Sequence, residues 1–494
     1  MIRPIETFSL SLDDAAALVG ATIIGDGTTL ITGATHRDSD VELGDLFIAI
    51  PGAKVHGATF AESAAALGAV AVITDAVGAT MCANIPTLVV KDVRKAGAIV
   101  AASLYRHPTR DLHSIAVTGT NGKTTVTTLL YQIFEAAGRD TGLIGTVETR
   151  ISKDAFESSR TTPEAAELQA LAATMRERHL RHLVMEVSSH SLTLHRIAGS
   201  HFAIAAFTNL SQDHLDFHKD MESYFLAKSS LFTSEYADAG FIFIDTVYGK
   251  RLAESATIPT VTLSRRNKDA TWHFTDWHNT SSGVEFSLRG SGGILIETRT
   301  SLFGAFNLDN LLLALAIAYE CGIDPVELAA IVPNLTGAPG RLEPVVLGQD
   351  YKALVDYAHS PDAVASVLSA VREFTDGKVI AVLGCGGDRD SSKRPLMGQA
   401  LLDGADIAIF TSDNPRSEDP TEILTHMTSG LSVIQPSCII EDRDSAIRFA
   451  VSVATRGDTV LILGKGHESG QEIAGLITPF DDRLNLARAI EETP

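Results

Sequence analysis

Ile115-Ala116-Val117-Thr118-Gly119-Thr120-Asn121-Gly122-Lys123-Thr124-Thr125 is a short, β-rich apolar run that breaks into a glycine loop and ends on Lys-Thr-Thr at a helix start. In that order the backbone N–H groups of Gly119 to Lys123 point into one concavity. The positive end of the following helix lies behind them, and Lys123 supplies a full charge. The expected guest is a nucleoside triphosphate. The spacing is not the standard Walker A, which would need glycine where this chain has Val117; the loop is the shorter Gly-x-x-Gly-Lys-Thr. The apolar strand before it and an amphipathic helix through Leu129, Leu130, Ile133 and Phe134 give the loop the setting that a phosphate cradle requires.

Outward from this loop, apolar strands are expected at Ile115 to Val117, Leu183 to Val187, Ala203 to Phe207 and Phe241 to Ile244. Helical patterns lie between them, as a parallel sheet demands. Residues 111–338 therefore read as a P-loop nucleotide-binding domain. Residues 1–110 carry shorter apolar segments among alanine-rich helical stretches and form a small α/β domain ending at Tyr105-Arg106-His107-Pro108. Thr336-Gly337-Ala338-Pro339-Gly340-Arg341 is dense in chain breakers and marks a second boundary. Beyond it, strands at Ala353 to Tyr357, Val379 to Leu383, Ile407 to Thr411 and Val460 to Leu463 alternate with helices, so 339–494 is expected to be Rossmann-like. The fold class is α/β in three domains.

The bulk numbers agree with that size. The chain has 494 residues, and at roughly 150 residues per domain this predicts about three. It is 45% hydrophobic and 20% charged, an ordinary soluble composition. A formal net charge of -21 argues against nonspecific attraction to nucleic acid or an anionic membrane, so an anionic ligand needs locally concentrated Arg, Lys and N–H groups. Cys82, Cys321, Cys385 and Cys438 are widely spaced, with no Cys-x-x-Cys pair to suggest zinc or a disulfide framework. No apolar run approaches the ~20 residues of a membrane span, and the N-terminus lacks a signal pattern. A cytoplasmic monomer is expected.

Three polar clusters follow strand ends in the last domain: Gly384-Cys385-Gly386-Gly387-Asp388-Arg389-Asp390, Asp413-Asn414-Pro415-Arg416 and Gly464-Lys465-Gly466-His467-Glu468. Any one alone reads as a tight turn with solvated charges. Strand carboxyl ends of an open parallel sheet line one crevice, so three together read as a pocket for a zwitterion. Arginines there grip carboxylates and Asp413 and Glu468 hold ammonium groups. In the middle domain, Glu186 of Met185-Glu186-Val187-Ser188-Ser189-His190 stands at a strand end where it can approach a Mg²⁺ held by Thr124 and triphosphate oxygens. Asn209 to His218, with Asp213, His214, Asp216 and His218, reads by itself as a capped helix start or turn. Lys228, by spacing alone, reads as a solvated surface lysine.

Taken together, these segments resemble the Mur ligase family, the ATP-dependent amide-forming enzymes of peptidoglycan precursor assembly, over nearly the whole chain. The resemblance implies that Gly119, Thr120, Asn121, Gly122, Lys123, Thr124 and Thr125 bind ATP. It implies Thr124, Glu186, His214 and Lys228 as the Mg²⁺ side, with Asn209 and Asp213 in the same segment and Lys228 carbamoylated (N6-carboxylysine). A carbamate turns that cation into an anion able to bind a second Mg²⁺. Lys123, Lys228 and His214 are the implied catalytic residues. Asn307 and Asn310 resemble the adenine-side motif, and Arg341 and Asp356 the residues linking the last domain to ATP.

Within the family, the similarity is greatest to the branch that adds the third peptide residue to UDP-N-acetylmuramoyl-L-alanyl-D-glutamate. By that resemblance Asp38, Thr161, Thr162, Ser188 and Arg196 hold the UDP-linked substrate. Arg389, Asp413, Asn414, Pro415, Arg416, Gly464 and Glu468 hold the incoming amino acid. Arg416 at the fourth position of its loop goes with meso-diaminopimelate, whose distal carboxylate it clamps; against lysine it would be a buried unpaired charge, costing on the order of 2 to 5 kcal/mol. Two positions depart from the family: Leu194 replaces a glutamine of some relatives, and His36-Arg37-Asp38-Ser39 replaces a frequent Asp-Ser-Arg. The implied reaction makes an acyl phosphate on the D-glutamate γ-carboxylate, which the amine of diaminopimelate attacks once the last domain closes over the ATP domain. The rivals are a lysine-adding or folylpolyglutamate-type ligase and, from another class, an ATP-binding switch.

Overall fold

The computed structural model describes residues 1–494 apart from 53, 159, 281, 282 and 494, and the backbone alone of residue 216. Two compact units emerge. The first comprises 1–275, 287–296 and 309–331, and the second 276–286, 297–308 and 332–494.

In the first unit the strand His113–Thr118 lies between two parallel neighbours, His182–Glu186 and Phe202–Phe207. Thr141–Ile144 extends the sheet beyond the former, and Ala237–Phe243 followed by Thr260–Ser264 beyond the latter. The registers decide where the chemistry falls: Val117 lies opposite Glu186 and Thr118 opposite Phe207. The chain therefore leaves three adjacent strands at one edge, as parallel sheets require of their carboxyl ends. The expected helix forms as Lys123–Ala136 and buries Leu129, Leu130, Ile133 and Phe134 completely. Each is worth about 1.5–3 kcal/mol of apolar burial.

The same unit carries a second sheet, in the order Thr22–Ile24, Thr87–Val89, Ala71–Thr74, Asp45–Ile48 and Gly33–Thr35, parallel except for the first pair. Its core takes in Leu46, Ile48, Ala71 and Ile73, joined by Ala166, Ala170 and Ala173 of the helix Ala165–Glu177. The antiparallel additions Glu148–Ile151 and Asp154–Glu157 were not legible in the sequence, because four-residue strands with alternating polar residues resemble loop.

The second unit holds a sheet in the order Glu343–Pro344, Lys352–Asp356, Thr459–Leu463, Val379–Cys385, Ile407–Ser412 and Cys438–Ile439. All neighbours after the first pair are parallel. Both faces are covered, one by residues such as Val364, Leu368 and Met397, the other by Ile447, Val451 and Leu486. The strands accordingly read as unbroken apolar runs. Pairing of Asp356 with Leu463, Leu383 with Leu463 and Cys385 with Ser412 aligns the ends from which the three polar clusters depart.

Candidate active site

The loop between His113–Thr118 and Lys123–Ala136 is tied down from the neighbouring strand's exit. The amide of Thr120 donates to Asn209 O at 2.9 Å, the amide of Asn121 to Asn209 Oδ1 at 3.0 Å, and the Thr208 hydroxyl to Asn121 O at 2.6 Å. Both glycines are required: a Cβ on Gly119 would stand 1.9 Å from Thr208 Oγ1, and one on Gly122 2.3 Å from Asn310 Oδ1, with φ at +151° and +86°. Asn310 thus lies against the loop, while Asn307 donates from Nδ2 to Phe303 O within the second unit. Lys123 Nζ curls over the loop and donates to Gly119 O at 3.0 Å and Thr120 O at 2.9 Å.

Thr124 and Glu186 meet. The Thr124 hydroxyl donates to Glu186 Oε2 at 3.0 Å. Glu186 is fully buried, and its oxygens also accept from the Thr146 amide at 2.7 Å and the Thr146 hydroxyl at 3.1 Å. This oxygen set suits Mg²⁺, which takes a carboxylate, a hydroxyl, phosphate oxygens and water. Among the described residues, no group of three or more His, Cys, Asp and Glu forms a metal cage by itself.

Lys228 corrects the reading from spacing: it is 1% exposed. Its Nζ donates to Gly119 O at 2.7 Å and sits 4.7 Å from the Tyr224 ring centroid. Burial first, and Lys123 second, push its ammonium well below the usual lysine value, with Asp213 opposing. The helix Met221–Ser229, capped by Asp220, brings Tyr224 and Lys228 inward on one face. His214 is half exposed, 3.6 Å from Asp213, with its ring edge-on to His190 at 4.8 Å. It precedes the short helix Leu215–His218; the side chain of Asp216 lies outside the described residues.

Thr161, Thr162, Ser188 and Arg196 converge near the same strand end. Thr162 donates its hydroxyl to Glu186 O at 2.9 Å and accepts the Ser188 amide at 3.1 Å. Thr161 shares a hydrogen bond with Thr146 at 3.0 Å, and Arg196 reaches Thr162 O at 3.3 Å. An open cleft of about 440 Å³ is lined by Arg196, Asp38, His36, Arg94, Arg160 and Glu164, among others. Glu164, 6% exposed, pairs with Arg94 at 2.9 Å, Arg196 at 3.0 Å and Arg160. Burial raises its carboxyl, but the surrounding Arg196, Arg94, His36 and Arg160 outweigh this and leave it lowered. The sequence names Arg196 but gives no sign of Glu164, Arg94 or Arg160 beside it.

In the second unit the three loops do share one place. Gly387 N donates to Asn414 O at 2.9 Å, Arg416 Nη1 to Gly387 O at 2.7 Å, and Asn414 Nδ2 to Glu468 Oε2 at 2.8 Å. Asp413, Asn414 and Pro415 are buried, Arg416 is half-buried and Arg389 exposed. Gly464 donates its amide to Asp356 O at 3.1 Å. Asp356 accepts the amides of Leu342 and Ala358, both at 2.8 Å. Burial raises its carboxyl, opposed by Arg341, whose guanidinium lies 4.8 Å from the Tyr357 ring centroid.

Models of three families match in chain order. The Mur ligase family catalytic domain covers 31–105, the Mur ligase middle domain 117–318, and the Mur ligase glutamate ligase domain 340–466. A relative from Streptomyces coelicolor, called UDP-N-acetylmuramoyl-L-alanyl-D-glutamate--2,6-diaminopimelate ligase, is 48% identical, with 99% of this chain and 98% of the relative covered. The chain belongs to the Mur ligase family. A Corynebacterium glutamicum protein of the same name is 43% identical over 90% of this Mur ligase and 89% of its own length. A solved structure, also of a UDP-N-acetylmuramoyl-L-alanyl-D-glutamate--2,6-diaminopimelate ligase, superposes with TM-score 0.71 at 34% identity, covering 98% and 99% of the two chains.

Two further features of this Mur ligase escaped the sequence. Lys465 is wholly buried in the same cluster as Asn414 and Glu468, although it was visible only as one letter of a glycine-rich loop. Arg443 and Asp482, both fully buried, pair at 2.7 Å beneath the strand ends. No local pattern marks either, because a buried charge is defined by partners distant in the chain. No helix among the described residues is long and apolar enough to cross a membrane.

Proposed function

We propose that this chain is the ATP-dependent ligase that joins meso-diaminopimelate to the D-glutamate γ-carboxylate of UDP-N-acetylmuramoyl-L-alanyl-D-glutamate, a step of peptidoglycan precursor synthesis. The observation that carries the acceptor choice is the convergence of Arg416, Asn414 and Glu468 at one set of strand ends. There the Arg416 guanidinium, held by Gly387 O and 3.5 Å from Glu472, and the Glu468 carboxylate suit the two charges of an amino acid's distal end. The name and identity of the relatives support the same reading.

In this scheme residues 1–110, the cleft with Asp38 and Arg196, and Thr161, Thr162 and Ser188 hold the UDP substrate. Residues 111–338 hold ATP, with Asn307, Arg341 and Asp356 contributing, and 339–494 hold the amino acid through Arg389, Asp413, Asn414, Pro415, Arg416, Gly464 and Glu468. The γ-phosphoryl group passes to the carboxylate oxygen, ADP leaves, the neutral amine attacks the acyl carbon, and phosphate departs as the nitrogen loses a proton. Lys123 and the loop amides other than those of Thr120 and Asn121, which are bonded to Asn209, offset charge on the moving phosphoryl group. Thr124, Glu186, His214 and Lys228 as a carbamate would hold Mg²⁺, which supplies further charge neutralisation when bound. The neutral amine is the form that adds CO₂, and burial, which disfavours the ammonium of Lys228, favours its modification. The reaction is assigned to a monomer in the cytoplasm.

The test is phosphate release from ATP with the UDP-linked dipeptide and, in turn, meso-diaminopimelate, L-lysine or no acceptor. Release only with diaminopimelate is expected. Equal release with lysine refutes the acceptor, and equal release with none refutes the ligase.

A further inference from the structure

Lys465 is 0% exposed, yet its ammonium is fully satisfied. Nζ donates to Asn414 Oδ1 at 3.1 Å, Glu468 Oε2 at 3.1 Å and Gly470 O at 2.6 Å, which uses all three of its hydrogens. We propose that Lys465 is a positioning residue for the acceptor amino acid: it fixes the orientation of Asn414 and one oxygen of Glu468, so that the other Glu468 oxygen receives the acceptor's ammonium. The inference rests on the ligase reading above.

The hydrogen-bond donors leave no freedom in this arrangement. Asn414 Oδ1 accepts from Lys465 and from the Glu472 amide at 3.0 Å, and both can only donate. Its Nδ2 donates to Glu468 Oε2 at 2.8 Å, which can only accept when ionised. The side-chain amide is therefore unambiguous in its orientation. Glu468 Oε2 takes two donors, Asn414 and Lys465, while Oε1 takes no hydrogen bond from the described residues. The Glu468 side chain is one-third exposed, so the carboxylate reaches the open side of the cluster and Lys465 does not. Without Lys465, Asn414 loses one of two donors to Oδ1 and Glu468 keeps a single neutral partner. Both side chains then have room to turn away from an incoming ammonium.

A double-mutant cycle on the full chain tests this, with KM for meso-diaminopimelate, ATP and the UDP-linked dipeptide measured separately. Lys465→Met is expected to raise the acceptor KM by at least about tenfold and leave the ATP KM within about twofold. Glu468→Gln should do the same, and the double variant should be no worse than the weaker single, because one residue acts through the other. An unchanged acceptor KM in Lys465→Met, a rise in all three KM values together, or additive losses in the double variant would each overturn the proposal. If Lys465→Met does not fold, Asn414→Asp serves: it still accepts from Lys465 and Glu472 but cannot donate to Glu468. The acceptor KM should again rise alone, and no change overturns the idea. A wild-type enzyme that releases no phosphate in response to diaminopimelate would instead remove the ligase reading, and this inference with it.

Discussion

The Thr124 hydroxyl donates to Glu186 Oε2 at 3.0 Å, which commits its proton and leaves its lone pairs for a cation. Because a carboxylate only accepts, the Thr146 hydroxyl, also bonded to Oε2, must donate there and accept from Thr161. A directed chain of hydroxyls therefore links Thr161 to the carboxylate beside the glycine loop. Glu186→Gln places an NH₂ against groups that are themselves donors. The expected result is a Mg²⁺ requirement raised roughly 10–100-fold, with Mg²⁺-free nucleotide binding near wild type. A Mg²⁺ titration of phosphate release checks it; an unchanged midpoint would locate the ion elsewhere.

Lys228 should make activity depend on dissolved CO₂. Its lowered ammonium pKa means that the neutral, CO₂-accepting amine prevails above that pKa and is lost as pH falls through it. Enzyme stripped of bicarbonate at mildly acidic pH should lose most activity, regain it with bicarbonate, and show a carbamate carbon-13 signal after labelling. Lys228→Ala should not respond. A stripped wild type at full rate, with no such signal, would refute the modification.

His182, buried at the start of the strand His182–Glu186, stacks on Phe134 at 4.5 Å and meets His113 edge-on at 5.7 Å. Burial, then His113, Arg139 and Arg181, lower its pKa from 6.5 to about 4. The unfolded chain therefore takes up a proton below 6.5 that the folded chain refuses until about 4, and stability falls across that window. The contribution lost between pH 7 and 5 is about 2 kcal/mol. His182→Phe should flatten that part of the thermal-midpoint profile, and an unaltered slope would assign the pH dependence to other groups.

How much of this was legible in the sequence depends on whether a residue's role is local. The phosphate loop and the Asp413-to-Arg416 loop were readable because strand, loop and helix follow one another directly and parallel sheets gather their carboxyl ends. Lys228 was not, because a lysine on a helix reads as exposed; its burial follows from Tyr224, four residues earlier, packing inward on the same face. The ion pairs of Glu164 and the burial of Lys465 could not be read for a related reason. Arg94, Arg160 and Arg196 reach the first from three separate stretches, and Asn414 meets the second from another strand's loop.

Arg443 and Asp482 carry the last prediction. Arg443 Nε and Nη2 donate to the two Asp482 oxygens at 2.8 and 2.7 Å, and the same guanidinium reaches Ser412 O at 3.2 Å and Leu463 O at 2.8 Å. Those carbonyls end the strands immediately before Asp413 and Gly464, so the pair holds the two loops that start there in register. Asp482→Asn leaves a buried guanidinium short of its counter-charge and should cost about 3–5 kcal/mol in a denaturant titration. Arg443→Met with Asp482→Leu removes both charges and should recover most of that stability. It cannot replace the donors to Ser412 O and Leu463 O, so its KM for diaminopimelate should stay raised while its KM for ATP does not. A double variant with both stability and acceptor KM restored would reduce the pair to core packing.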